Sequence, residues 1–130
     1  MITSSLKYSF SRTSKVLAVG CDPDSLAASA SILRNAGFIV SPATVQQTLR
    51  LLDTELFDAV VLCHTLNSRQ ASAVLALVQS LNREMPVIQV YSDTPDPAFR
   101  FAAPSYNPSI LLSVLGRALE GDMRALRAIA

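Results

Sequence analysis

Charge is scarce in this chain. Asp, Glu, Lys and Arg make up 16% of its 130 residues, and 11 basic against 10 acidic side chains leave a formal net charge of +1. No basic block marks a nucleic-acid footprint, and no acidic tail marks a basic partner. Cysteine and histidine are scarcer still. Cys21, Cys63 and the lone His64 are too few for a disulfide framework, and their spacing is not that of a zinc knuckle. The four glycines form no phosphate-cradling loop, no serine stands on a nucleophile elbow, and no flavin fingerprint is present. These absences argue against an enzyme and against a bound cofactor. No apolar run approaches the ~20 residues that cross a bilayer, so no membrane partner is expected.

What the chain does have is apolar residues, half of the total. A chain of this length and hydrophobicity builds one globular domain with a real core. Residues 1–14 are rich in Ser and Thr, carry Lys7 and Arg12, and lack an apolar h-region. They suit a loose extension rather than a secretory signal, with an organelle transit peptide as the alternative. A reducing cytoplasm is therefore the expected location.

The central stretch is Phe57-Asp58-Ala59-Val60-Val61-Leu62-Cys63-His64. Its unbroken apolar run predicts a strand buried on both faces, the habit of a parallel sheet covered by helices. Cys63 and His64 would then stand at the carboxyl edge, where open parallel sheets place function. Val16–Val19 is a first such strand, closed by Gly20-Cys21-Asp22. Asp22-Pro23 opens a helix that Gly37 stops, with Leu26, Ala30 and Leu33 on its inner face. Phe38–Val40 is a short strand. Val45, Leu49, Leu52 and Leu56 predict the buried stripe of a second helix. A third helix spans about 69–82, with Ala71, Val74, Val78 and Leu81 inward. Pro86–Tyr91 is the fourth strand and Phe99–Ala103 the fifth, and Asn107-Pro108 starts a last helix that Gly121 weakens. The stretch between Tyr91 and Phe99 is breaker-rich and too short for a full helix, so a fourth helix should be missing or reduced to about a turn. Right-handed crossovers then give an α/β, doubly wound sheet of five parallel strands.

This order resembles the receiver domain of bacterial response regulators, the CheY-like, flavodoxin-like fold. The likeness rests on Lys15–Val19 leading into Asp22-Pro23-Asp24, on Leu33–Phe38, Phe57–Leu62, Pro86-Val87-Ile88 and Asn107-Pro108. It spans about 15–121, leaving 122–130 as a tail, and implies the strand order 2-1-3-4-5. It also implies a phosphorylation site: two acids holding Mg²⁺, an acceptor aspartate, a small hydroxyl and a lysine. Laid on this chain, the acidic pair falls on Gly20 and Cys21, the acceptor on Cys63, the hydroxyl on Tyr91 and the lysine on Asn107. The aromatic switch position falls on Pro104, and the proline often found after the acceptor falls on Asn67.

All five positions have lost the chemistry they need. Mg²⁺ takes hard oxygen ligands, and sulfur is soft. Without metal or lysine, nothing cationic neutralises a phosphoryl group in transfer. The resemblance therefore implies a degenerate pseudo-receiver in two-component phosphorelay signalling, independent of phosphorylation. Its partner would be a signalling protein or a second copy of itself. Two alternatives stand beside it: a receiver with a non-standard acceptor, and a redox or metal switch through Cys21 and Cys63, with His64 or Asp22 as further ligands. For each residue a plain structural role competes. The cysteines can be small apolar fillers, Asp22, Asp24 and Asn107 can cap helices, and His64 can be a polar residue at a strand–loop junction. Arg117, Arg124 and Arg127 give the last helix a basic face. Tyr91, Phe99, Phe101 and Tyr106 would form an interaction patch if the missing helix exposes them.

Overall fold

A computed structural model describes the backbone of residues 14–129 and the side chains of 14–120. Five strands and four helices are present among them: β1 (Lys15–Val19), α1 (Pro23–Asn35), β2 (Ile39–Ala43), α2 (Val45–Thr54), β3 (Ala59–Leu62), α3 (Ser68–Leu81), β4 (Val87–Tyr91), β5 (Phe101–Pro104) and α4 (Pro108–Ile129). All pairings are parallel and the strand order is β2-β1-β3-β4-β5, as expected. The N-terminal extension lies outside the described residues except for Ser14. The stretch expected as a 122–130 tail continues the α4 backbone past Gly121 to Ile129, and its side chains, Arg124 and Arg127 included, lie outside the described residues.

Both faces of the central strands are buried, and alternate residues serve different layers. Val16 and Ala18 of β1, Ala59 and Val61 of β3, and Ile88 and Val90 of β4 pack against Ala30 and Leu33 of α1 and Leu111, Val114 and Leu115 of α4. Leu17, Val19, Val60, Leu62 and Val87 face the opposite layer, with Ala71, Val74 and Val78 of α3. Burying each such aliphatic side chain stabilises the fold by about 1.5–3 kcal/mol.

The helix starts are capped by their own sequence. Asp22 Oδ2 accepts from the Ser25 backbone N–H (3.1 Å) and hydroxyl (2.8 Å). Thr44 and Gln47 form a reciprocal capping box on α2, and Asn67 and Gln70 do the same on α3. Asn107 Oδ1 accepts from Ser109 N–H (3.1 Å) at the head of α4. Past α1, Gly37 takes φ = +103°, a backbone conformation that side-chain-bearing residues rarely adopt.

Four sequence expectations change in detail. β2 runs on through Pro42 because it is an edge strand, where a missing N–H is tolerated. The inner face of α2 centres on Thr48, fully buried with its hydroxyl donating to Thr44 O (2.9 Å), flanked by half-buried Val45, Leu51 and Leu52. Leu49 is instead 55% exposed, and Leu56, beyond the C-cap Glu55, is 91% exposed. At the end of α3, Leu81 also turns outward. β5 begins two residues late, at Phe101, because Phe99 belongs to the preceding turn.

That turn replaces the fourth crossover helix. Asp96 N–H donates to Gln89 Oε1 (2.9 Å), Asp96 Oδ1 accepts from Ala98 N–H (2.9 Å), and Phe99 N–H closes the turn on Asp96 O (3.0 Å). Phe99, 6% exposed, drops its ring into the α3-side core. The absent helix therefore does not uncover the aromatic patch: Phe99 is buried, Tyr91 and Phe101 are half-buried, and only Tyr106 of the four stands open.

The Phe99 ring thus does the covering work of a helix. Phe99→Ala should cost about 3–5 kcal/mol in equilibrium urea unfolding, the loss typical of a buried aromatic. Tyr106→Ala should stay within about 0.5 kcal/mol.

Candidate functional site

The carboxyl edge of β1 and β3 is built by their register. Val19 pairs with Leu62, and Cys63 N–H donates to Val19 O (2.8 Å), so the residues that follow each strand lie side by side. Successive residues still point to opposite faces there. Gly20 and Cys63 share the α1 face: a Cβ at Gly20 would meet Cys63 Cβ at 3.3 Å, Cys63 Sγ at 3.4 Å and Leu26 Cδ1 at 3.4 Å. A side chain at position 20 would therefore crowd Cys63 and Leu26. Cys63 is buried, and that burial pushes its thiol pKa up. A hydrogen bond with Ser29 of α1 works weakly against the shift.

Cys21 faces the other way. It is exposed, its N–H donates to Thr65 Oγ1 (3.1 Å), and its thiol donates to Gln70 Oε1 of α3 (3.4 Å). Both cysteines carry free thiols. They share an edge, but their sulfurs turn toward different helices. Among the described residues no group of three or more His, Cys, Asp or Glu side chains is placed to hold a metal.

The remaining positions are equally specific. Asp22 is committed to Ser25. Those hydrogen bonds hold its carboxyl below the usual range, and the charge of nearby His64 adds a smaller pull in the same direction. His64, Asn67, Tyr91 and Asp93 line an open groove of about 370 Å³ between the β3–α3 and β4–β5 loops. Tyr91 pairs with Pro104 in register, and its carbonyl accepts from Ser105 N–H (2.8 Å), which fixes the strand end. Pro104 is buried, and Asn107 serves as the cap described above. The donor set at these positions does not suit Mg²⁺: Gly20 offers no side chain, the two sulfurs are soft, and the Asp22 carboxylate is engaged by a helix end.

Sequence reasoning missed three participants. Thr65 ties the two loops together, Gln70 both completes a capping box and holds Cys21, and Leu26 closes the space over Gly20. Gln70 was legible as the third residue after an Asn cap. The other two depend on contacts across strands that no local pattern encodes.

No family model matches the sequence, and no curated protein matches it. Solved structures do. A CheY-like receiver domain protein from Methanospirillum hungatei superposes with a TM-score of 0.76 at 20% identity, covering 87% of this chain and 98% of that one. The chemotaxis protein CheY4 of Vibrio cholerae gives 0.67 at 21% identity, over 82% and 98%. The receiver domain of the Pseudomonas aeruginosa sensor histidine kinase PA1611, with a magnesium ion in its active-site cleft, gives 0.72 at 16% identity, over 83% and 98%. These likenesses establish a CheY-like fold.

The two thiols should differ sharply. Under native conditions a thiol reagent should label Cys21 promptly and Cys63 only at the rate of unfolding, and Cys21→Ser should abolish the prompt label. The raised folded pKa of Cys63 sets the sign of a pH effect. The stabilisation from its neutral thiol is whole below the ordinary thiol range and is lost as pH rises toward the folded value, because the unfolded chain ionises first. Urea titrations across the alkaline range should show stability falling with pH, and less steeply in Cys63→Ala.

Proposed function

We propose that this protein is a pseudo-receiver: a module of two-component signalling that acts by docking to another protein and does not depend on phosphorylation. The observation that supports this reading is the chemistry of the β1–β3 edge. Gly20 brings no side chain to the first acidic position, Cys63 puts a buried thiol at the acceptor position, and a side chain at Gly20 would crowd Cys63 and Leu26. The solved receiver domains that share the fold supply the signalling context. The magnesium in the PA1611 receiver marks what such a cleft accommodates when its donors suit the ion. Asn107, which caps α4, stands where the resemblance puts the lysine that would neutralise a transferring phosphoryl group.

On this reading the chain is not an enzyme and needs no cofactor. Its partner is a signalling protein, and its compartment is the cytoplasm, where free thiols persist. No helix of the described residues is long and apolar enough to cross a membrane.

Incubation with acetyl phosphate and Mg²⁺, followed by intact mass, should give an unmodified chain, and Mg²⁺ titration should leave the amide spectrum unchanged. Cys63→Asp should still take up no phosphoryl group, because Gly20 supplies no metal ligand. A stoichiometric phosphoryl adduct on the native chain would overturn the proposal.

A further inference from the structure

The amino edge of the sheet, opposite Cys63 and His64, carries an apolar groove of its own. It measures about 220 Å³ and lies between the ends of α2 and α3, with Leu52, Leu56, Phe57, Leu81 and Met85 among its lining. Two of these side chains stand in water: Leu56 is 91% exposed and Leu81 52%. The groove is smaller than the roughly 300–1,000 Å³ of small-molecule sites, so it suits side chains better than a free ligand. The chain enters the fold beside it. Ser14 O accepts from Ile39 N–H (3.0 Å), and Lys15 opens β1 on the face of Leu17 and Val19, which is the α3 layer. Lys15 Nζ lies 2.6 Å from Glu55 Oε1 and 5.1 Å from the Phe57 ring centroid, and both residues line the groove. Residues 1–13 therefore join the domain within reach of one lysine side chain from it.

We propose that the chain's own N-terminal segment is the occupant: residues 6–10 fold back as a strap and lay Leu6, Tyr8 and Phe10 over the groove between α2 and α3. The inference goes beyond the docking reading above and does not depend on it. Leu6-Lys7-Tyr8-Ser9-Phe10 alternates apolar and polar residues. An extended segment of that pattern presents Leu6, Tyr8 and Phe10 on one face and Lys7 and Ser9 on the other. Reach is ample. An extended chain gains about 3.3–3.6 Å per residue, so Phe10 lies up to about 14 Å from Ser14 and Leu6 up to about 28 Å. The driving force is removal of apolar surface from water on both sides of the contact: the Leu56 and Leu81 side chains below, two rings and a leucine above. Tethering favours this occupant over a free partner, because the segment is held near the groove at high effective concentration.

The test reads the methyl and aromatic signals of the isotope-labelled full chain. Nuclear Overhauser cross-peaks should join the Tyr8 and Phe10 rings to the Leu56 and Leu81 methyls. In Tyr8→Ser/Phe10→Ser, folded by circular dichroism, those methyls should move downfield toward random-coil positions, because the rings that shield them are gone. Lys7→Ser, on the other face of the strap, should leave them in place. From the groove side, Leu56→Ser/Leu81→Ser changes only exposed side chains, so the fold survives it. Trypsin should cut that variant after Lys7 about tenfold or more faster than the native chain, since cleavage tracks the undocked population. The strap proposal fails if no such cross-peaks appear, or if trypsin cuts the native chain and the groove variant alike. It fails equally if the cross-peaks arise only between differently labelled copies in a mixed sample, which would make a second copy the occupant. A phosphoryl adduct in the preceding experiment would overturn phosphorylation independence while leaving the strap standing, so the two failures are separable.

Discussion

Ala59, Val60, Val61 and Leu62 are covered on both faces, and that double burial fixes what every neighbouring residue can do. Because side chains alternate, shifting β3 by one residue against β1 and β4 would exchange its two apolar sets between layers built for different shapes. Val60, Val61 and Leu62, each contributing about 1.5–3 kcal/mol when buried, hold the register, with a smaller part from Ala59. The register then decides, one step past the strand, that Cys63 points beneath α1 and that His64 points into the open groove. The chemistry of the edge is thus inherited from the packing of the core.

The same constraint sets the neighbours of Gly20. Gly20 and Cys63 meet because both follow strands in register on the α1 face. A carboxylate at either position would have to be desolvated against Leu26 or push it aside, a cost that a metal ion would have to offset. Cys63 and Leu26 lie close enough that any side chain at Gly20 would crowd them. Asp22 and Asn107 keep their places beside the pocket but serve as helix caps, a role that needs only a short side-chain oxygen and an adjacent N–H.

Much of the architecture was legible in the sequence because parallel strands buried on both faces write themselves as unbroken apolar runs. Val16–Val19 and Ala59–Leu62 are of that kind, and the caps at Asp22 and Asn107 follow from short-range chemistry. The helix faces were less legible. The α2 stripe departs from the apolar pattern because Thr48, a polar residue by composition, satisfies its hydroxyl on its own helix and so can be buried, leaving Leu49 outside. By pattern Phe99 reads as strand, since an aromatic before Phe101 continues the apolar run. Only the three-dimensional path shows it plugging a turn. At the site, residue types could be read by alignment to a fold, but the opposed directions of Cys21 and Cys63 could not. Those depend on whether alternation persists beyond the last paired residue.

Both lateral borders of the sheet carry a proline, Pro42 in β2 and Pro104 in β5. A proline has no N–H to offer an incoming strand, and each border strand is short. Foreign chains are therefore discouraged from extending the sheet by hydrogen-bonded addition, the route that leads to fibrils and to strand-swapped assemblies. For a molecule whose surface also presents a nearly bare Leu56, this guards against ordered aggregation where the apolar exterior alone would invite it.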